Sequence, residues 1–336
     1  MHTRDDLART LEPSLMASLE QILVALDAVA RVLVVAHVSP DGDAVGSTLA
    51  MGHLLRQLGK DVICYNQDPV PYNFRFLPGS ADWHQALPDG WTPEATILLD
   101  CAERHRIGDG FPERGWGDMI LVIDHHKSWD PTLADVFARD ERAAATGELV
   151  YWLAGVADAE LTADLATCLY CCLLTDTGSF RYSSTSRTTF QIAGELVASG
   201  VNPWDMTSAI YESQPRNRVA LLQRVLETLH YSECGRLAFL RLEQQMMRET
   251  NTDPQMADGF INYGRSVDGV EVATQLLEVA DGTWKVSFRS RGSVDVGDLA
   301  RRFGGGGHRN AAGCTIEGDP HHIEAELSAA LDKILA

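Results

Sequence analysis

The chain has 336 residues, 45% of them hydrophobic and 22% charged. It is long enough for two domains with separate cores, and no apolar run approaches the roughly 18 residues needed to cross a bilayer. A formal net charge of −19 excludes a protein built to grip long duplex nucleic acid, because such binding needs many Lys and Arg contacts to release counterions.

A short phosphorylated substrate, held by metal ions and a few placed cations, remains compatible with this charge. The opening residues, Met1-His2-Thr3-Arg4-Asp5-Asp6, lack the basic-then-apolar layout of a signal peptide. Seven cysteines, an odd number scattered along the chain, form no disulfide framework. A cytoplasmic, reducing location is expected. Cys168, Cys171 and Cys172 lie in an apolar stretch with no second Cys/His pair to complete a zinc site, so they read as helix core.

In chain order, apolar positions at helical spacing over residues 14–30 (Leu15, Leu19, Ile22, Leu23, Leu26, Val29) predict a helix. Residues 32–36 then read as a short buried strand ending at His37. Pro40 and Gly42 force a turn directly after it, displaying His37, Asp41 and Asp43 together. One imidazole and two carboxylates are hard ligands suited to Mn²⁺ or Mg²⁺, and less well to Zn²⁺. The plainer reading is an Asp-rich turn. A helix over 46–58 follows, stopped by Gly59, and then strands at 62–65, 96–100 and 119–124. Apolar strands separated by helical or turn-rich segments predict an α/β domain, a parallel sheet with helices on both faces.

Two of those strands also end on carboxylates, Asp100 in one case and Asp124-His125-His126 in the other. In a parallel sheet all three ends share the carboxyl edge, so His37, Asp41, Asp43, Asp100, Asp124, His125 and His126 should converge. Three such ends are difficult to explain as solvated turns.

Residues 143–174 read as helical and lead to Asp176, whose own plain reading is a C-terminal turn before Gly178. A helix over 188–199 stops at Gly200, and 189–218 is the expected connector between domains spanning 1–188 and 219–336. Past a helix at 219–230, strands at 237–242, 270–278 and 283–289, the last two joined by a hairpin at 280–282, predict a smaller α+β domain. After a helix at 296–303, Gly304 to Gly307 form a run of four glycines. They allow close backbone approach and offer amides to a phosphate, unless they are simply a flexible loop. Arg289, Arg291, His308 and Arg309 flank that run in an otherwise acidic chain.

Taken together, His37-x3-Asp41-x-Asp43 with Gly46-Ser47, a lone Asp100, Asp124-His125-His126, and Asp176 before Gly178-Ser179-Phe180 resemble the four motifs of the DHH phosphoesterase superfamily. Gly304-Gly305-Gly306-Gly307-His308 with Ala311-Ala312-Gly313 resembles the DHHA1 domain that accompanies one branch. The likeness is closest to the oligoribonucleases and 3'-phosphoadenosine 5'-phosphate (PAP) phosphatases. It implies a DHH catalytic domain, a DHHA1 substrate domain and a binuclear centre, with Mn²⁺ the best-suited metal. His37, Asp41 and Asp100 would hold one ion, and Asp43, Asp100, His125 and Asp176 the other, with Asp100 bridging. Asp124 would orient a histidine from outside the metal shell, and His126 would face the substrate phosphate, completing a catalytic set of Asp100, Asp124 and His126. Arg289, Arg291, Gly305, Gly306, Gly307 and His308 would grip a second phosphate or the terminal nucleotide.

The implied activity is metal-dependent hydrolysis of short RNA oligonucleotides (nanoRNA) to nucleoside monophosphates, with PAP dephosphorylated to AMP. By family analogy alone the protein is a homodimer. A phosphodiesterase for cyclic dinucleotides, or for linear pApA or pGpG, fits the same motifs. An inorganic pyrophosphatase shares the first-domain motifs but not the glycine run. A non-catalytic nucleotide-binding module is disfavoured, because Asp41, Asp43, Asp100 and Asp176 would repel one another without a metal.

Overall fold

The computed structural model describes residues 10–109, 116–292, 294–307 and 309–335. The opening residues 1–9 and His308 lie outside the described residues. The chain divides into two compact units, Met1–Ser213 and Gln214–Ala336.

The first unit begins with α1 (Pro13–Asp27), β1 (Arg31–Ala36), α2 (Gly42–Gln57), β2 (Asp61–Tyr65), β3 (Trp83–His84), β4 (Ala95–Leu99), β5 (Met119–Asp124) and β6 (Val136–Arg139). It continues with α3 (Thr146–Val156), α4 (Ala163–Asp176), α5 (Arg187–Ala198), α6 (Pro203–Thr207) and a π-helical turn over Ser208–Glu212. Its six strands form one sheet in the order β3-β2-β1-β4-β5-β6, parallel throughout. The order reverses between β1 and β4, the place where open α/β sheets bind ligands beyond their strand ends.

Alternation along each strand sends Val32, Val34, Ile97, Leu99, Leu121 and Ile123 into a core shared with the helices. Leu33, Val35, Leu98, Ile120 and Val122 form a second, smaller cluster on the opposite face. Among the described residues that second face is covered by loops and 3₁₀ turns rather than by the expected second layer of α-helices. The β3–β4 connection there, which lays Leu87 and Trp91 on this face, carries Pro88 and Pro93, which remove backbone donors and interrupt helices.

The helix after β1 starts at Gly42 rather than at position 46. The Asp41 side chain caps it by accepting from the Asp43 and Ala44 amides, as an N-cap aspartate does. Asp43 therefore sits in a helix's first turn instead of a free loop. The predicted helix at 143–174 is two helices, α3 and α4. Residues 187–198, placed partly in a connector by sequence, form α5, which buries Thr189, Ile192, Ala193 and Leu196 in the first unit. Close approach of α2 and α4 depends on small residues. A Cβ on Gly46 would lie 2.6 Å from Cys172 Sγ, and one on Gly42 would lie 2.4 Å from Thr175. Cys168, Cys171 and Cys172 are buried packing residues of α4.

The second unit comprises α7 (Arg216–Glu227), β7 (His230–Tyr231), β8 (Leu237–Leu242), α8 (Gln244–Thr250), α9 (Ile261–Arg265), β9 (Val272–Ala280) and β10 (Thr283–Ser290). It ends with α10 (Val296–Arg302), β11 (Gly306–Gly307), β12 (Ala311–Glu317) and α11 (Pro320–Leu335). Its six strands run β11-β12-β10-β9-β8-β7, with β8 and β9 parallel and the other pairs antiparallel. One face packs on α10 and α11 through Leu299, Ile323, Leu327 and Leu331, and the other on α7 and α8 through Leu221, Val225 and Met247.

Candidate metal centre

Register explains the convergence. Ala36 pairs with Leu99 and Leu99 with Ile123, so the next residues, His37, Asp100 and Asp124, form a row across three adjacent strand ends. His37 Nε2 lies 3.3 Å from Asp100 Oδ2 and 3.9 Å from Asp41 Oδ2. His125 Nε2 lies 3.5 Å from Asp100 Oδ1, 3.5 Å from Asp176 Oδ2 and 3.9 Å from Asp43 Oδ2. Two groupings result, His37–Asp41–Asp100 and Asp43–His125–Asp176, with Asp100 between them.

The histidine tautomers fit a cation. His37 Nδ1 donates to the Val38 carbonyl at 2.8 Å and His125 Nδ1 to the Ala143 carbonyl at 3.1 Å. Each ring therefore turns an Nε2 lone pair toward the carboxylates, as metal-binding histidines do when their other nitrogen is tied down. His37 Nε2 is buried without a hydrogen-bond partner, an arrangement that favours a bound ion. His126 is turned the other way. Its Nδ1 donates to Asp124 Oδ1 at 2.7 Å and sits 3.3 Å from Asp100 Oδ1. The third grouping, Asp100–His125–His126, would therefore require His126 to give up its bond to Asp124. The histidine that Asp124 orients is His126, and Asp124 also accepts that residue's amide at 3.0 Å.

Asp43 is held by a helix it does not belong to. Ala145, at the N-cap of α3, offers no side-chain cap. Asp43 Oδ2 instead accepts from the Thr146 amide at 2.6 Å and Oδ1 from the Gly147 amide at 3.0 Å, a carboxylate seated on the positive end of a helix. Thr146 Oγ1 donates to Asp100 Oδ1 at 3.0 Å. Glu148 Oε2 accepts the Ala144 amide at 3.2 Å, next to the Ala143 carbonyl that fixes His125.

These supports, Ala143, Thr146, Gly147 and Glu148, escaped the sequence reading. Their one signal was a helix start after three alanines with no capping residue. Gly147→Ala should lower the melting temperature by roughly 3–10 °C, because its Cβ would lie 2.3 Å from Cys172 Cβ. Thermal unfolding within about 1 °C of the parent would contradict this packing argument.

Backbone strain gathers in the same loops. Of six non-glycine residues with left-handed φ among the described residues, Ser39, Asp100, Ser179 and Phe180 flank or belong to the cluster. Such conformations persist where the surroundings over-determine them, often at functional sites.

The clustered acids and imidazoles shift one another's proton affinities. Burial, with Asp100 and Asp176 nearby, raises the Asp43 carboxyl well above its usual range. Burial, opposed by His125 and aided by Asp41 and Asp100, lifts Asp176 to about 7. Burial works against charge on His37 and His125, but neighbouring carboxylates prevail and both are raised. His126 is likewise carried to about 11, mainly by Asp100. Burial also opposes charge on Asp100, yet His126 and His37 hold it well below the normal carboxylate range. Groups that hold protons more tightly than usual must release them to bind a cation.

In the second unit the glycine run is ordered by packing. Gly306 pairs with Gly313 and Gly307 with Ala312. A Cβ on Gly305 would strike the Gly313 carbonyl at 2.1 Å. On the other side of β12, Arg289 pairs with Ala311, and Arg291 follows β10 as an exposed residue. Gly306 and Gly307 thus lie on one side of β12 and Arg289 on the other, with Arg291 just past the end of β10, while His308 is outside the described residues.

Comparisons with known proteins agree with this architecture. Residues 31–173 match the model of the DHH family, N-terminal domain, and residues 235–336 match the DHHA1 domain. The Thermus thermophilus protein named "Bifunctional oligoribonuclease and PAP phosphatase NrnA" is 33% identical over 328 residues, covering 96% of this chain and 94% of the relative. A protein of the same name from Bacillus subtilis is 27% identical over 286 residues, covering 83% and 87%. The crystal structure of an exopolyphosphatase-related protein from Bacteroides fragilis superposes with a TM-score of 0.83 at 26% identity, covering 95% of this chain and 98% of that one. No helix among the described residues is long and apolar enough to cross a membrane. With both family domains in order and a relative matched from end to end, the chain belongs to the DHH–DHHA1 phosphoesterases, a family of metal-dependent hydrolases, in the group that carries the NrnA name.

Proposed function

We propose that the chain hydrolyses short oligoribonucleotides to nucleoside monophosphates and also removes the 3'-phosphate of PAP, as the names of its relatives describe for them. The observation that carries this reading is Asp100, a member of the His37–Asp41–Asp100 grouping whose Oδ1 also lies 3.5 Å from the His125 Nε2 of the Asp43–His125–Asp176 grouping. His37, Asp41 and Asp100 would hold one divalent ion, and Asp43, Asp100, His125 and Asp176 a second. Oxygen and imidazole donors suit Mn²⁺, and the nearby thiols of Cys171 and Cys172 are turned to the Gly42 and Asp43 carbonyls.

Divalent ions bound there supply a water of lowered pKa and offset charge developing at the phosphorus. Asp43, anchored on α3, and Asp100, anchored by Thr146, keep the carboxylates in place for this chemistry. His126, held charged by Asp100 and Asp124, is the proton donor for a phosphate oxygen or the departing nucleoside oxygen. Arg289, Arg291 and the glycine strand are the second unit's cationic and amide donors for a substrate phosphate.

The test is an assay with Mn²⁺ on a dinucleotide, a 5-mer, a 20-mer, PAP and cyclic di-AMP. Turnover should favour the dinucleotide and 5-mer. If both are inert the reading fails, and preferential turnover of cyclic di-AMP would replace it with a cyclic-dinucleotide phosphodiesterase.

A further inference from the structure

Three residues beyond His126, Trp129 keeps 42% of its surface exposed although it is held by two neighbours. The Arg139 guanidinium carbon lies 4.6 Å from the indole centroid. Phe137 meets the ring edge-on, 4.9 Å away at 75°. Arg139 is itself a fixed group, with 13% side-chain exposure. It stands opposite Asp124 in the pairing of β5 with β6, and its Nη2 donates to the carbonyls of His126 and Lys127. One cation therefore ties the loop that carries His126 and also backs the indole. The Cα atoms of His126 and Trp129 can be no more than about 11 Å apart along the chain, a span comparable to that from a nucleotide's phosphate to its base.

We propose that Trp129 is a nucleobase platform, on which the base of the nucleotide whose phosphate lies at the metal centre stacks. This inference rests on the oligonucleotide reading above. Stacking requires only a π-face, which every base has, so it adds affinity without reading sequence. That suits an enzyme acting on RNA fragments of any composition. Exposed Lys127 on the same loop adds a cation at the phosphate end of such a ligand.

The experiment compares kcat and KM of the full-length protein with Mn²⁺ on the dinucleotide ApA and on its analogue lacking both bases. Trp129→Ala should lower kcat/KM on ApA by about five- to a hundredfold, chiefly through KM. The loss on the abasic analogue should be several-fold smaller, and Trp129→Phe should recover most of the ApA activity. An equal loss on both substrates would make the indole a mere support for the loop and overturn the proposal, as would no loss on either. AMP titration by calorimetry in the presence of Mn²⁺ separates the two readings. If the parent protein cleaves neither dinucleotide, the oligonucleotide reading falls. The platform is then decided by AMP affinity alone, with weaker binding by Trp129→Ala supporting it and unchanged binding rejecting it.

Discussion

Asp100→Asn should reduce turnover of a phosphodiester substrate by about a thousandfold or more, the equivalent of the several kcal/mol of charge stabilisation supplied at a metal centre. It should also lower the metal content of the purified protein. Asn is the informative replacement. Residue 100 has φ 56°, a left-handed conformation in which Asn is enriched and which strains Ala. The Asn carbonyl can still accept from Thr146 Oγ1, now 3.0 Å from the carboxylate. His126 keeps its partner Asp124. The substitution therefore removes the negative charge that His37 and His125 both face while leaving the loop its shape. Circular dichroism and melting temperature should stay near the parent values while kcat collapses. Activity within about tenfold of the parent, with a full metal complement, would be inconsistent with a shared bridging carboxylate.

Much of this centre was legible because a parallel sheet converts sequence position into spatial position. Three apolar runs, each ending on His or Asp, had to bring His37, Asp100 and Asp124 to one edge once the strands were parallel. Asp176 was less legible. It ends α4, a helix whose start depends on where α3 stops, and only packing of α4 against α2 brings it beside His125. The seat of Asp43 was the least legible part. Its partners, the Thr146 and Gly147 amides, are more than a hundred residues away and act through the backbone, so the only trace in residue type is the uncapped helix start after Ala143-Ala144-Ala145.

The second face of the first sheet was misjudged for a related reason. An apolar strand buried on both sides looks the same whether helices or loops cover it. In the second unit, β12 went unread because Ala311-Ala312-Gly313 has little β-propensity. That strand exists because β10 and the glycines of β11 supply its hydrogen bonds.

Metal affinity should rise steeply with pH through neutrality. In the metal-free chain His37 and His125 are raised above 6.5, Asp176 to about 7 and Asp43 well above the usual carboxylate value. Each must lose its proton to act as a ligand. Below those values protons compete with the ion, and affinity should fall about tenfold per pH unit for each proton displaced. Two or more protons displaced give a loss of about a hundredfold or more on going down one unit.

Stability follows the opposite course without metal. A group whose folded pKa is raised stabilises the fold below its unfolded pKa, and that contribution is lost as pH rises through the folded value. Asp176 and Asp43 thus weaken the chelated protein as pH climbs from about 4 toward 7. Asp100, whose folded pKa is depressed, stabilises above the ordinary carboxylate range and loses that effect only at lower pH. The melting temperatures of Mn²⁺-loaded and chelated protein should therefore diverge as pH rises from 5 to 8, and Mn²⁺ calorimetry in buffers of different ionisation enthalpy should count the protons released. Asp176→Asn should reduce that count by about one near pH 6. A melting-temperature gap that stays constant with pH, or binding without proton release, would show that the cluster does not trade protons for metal.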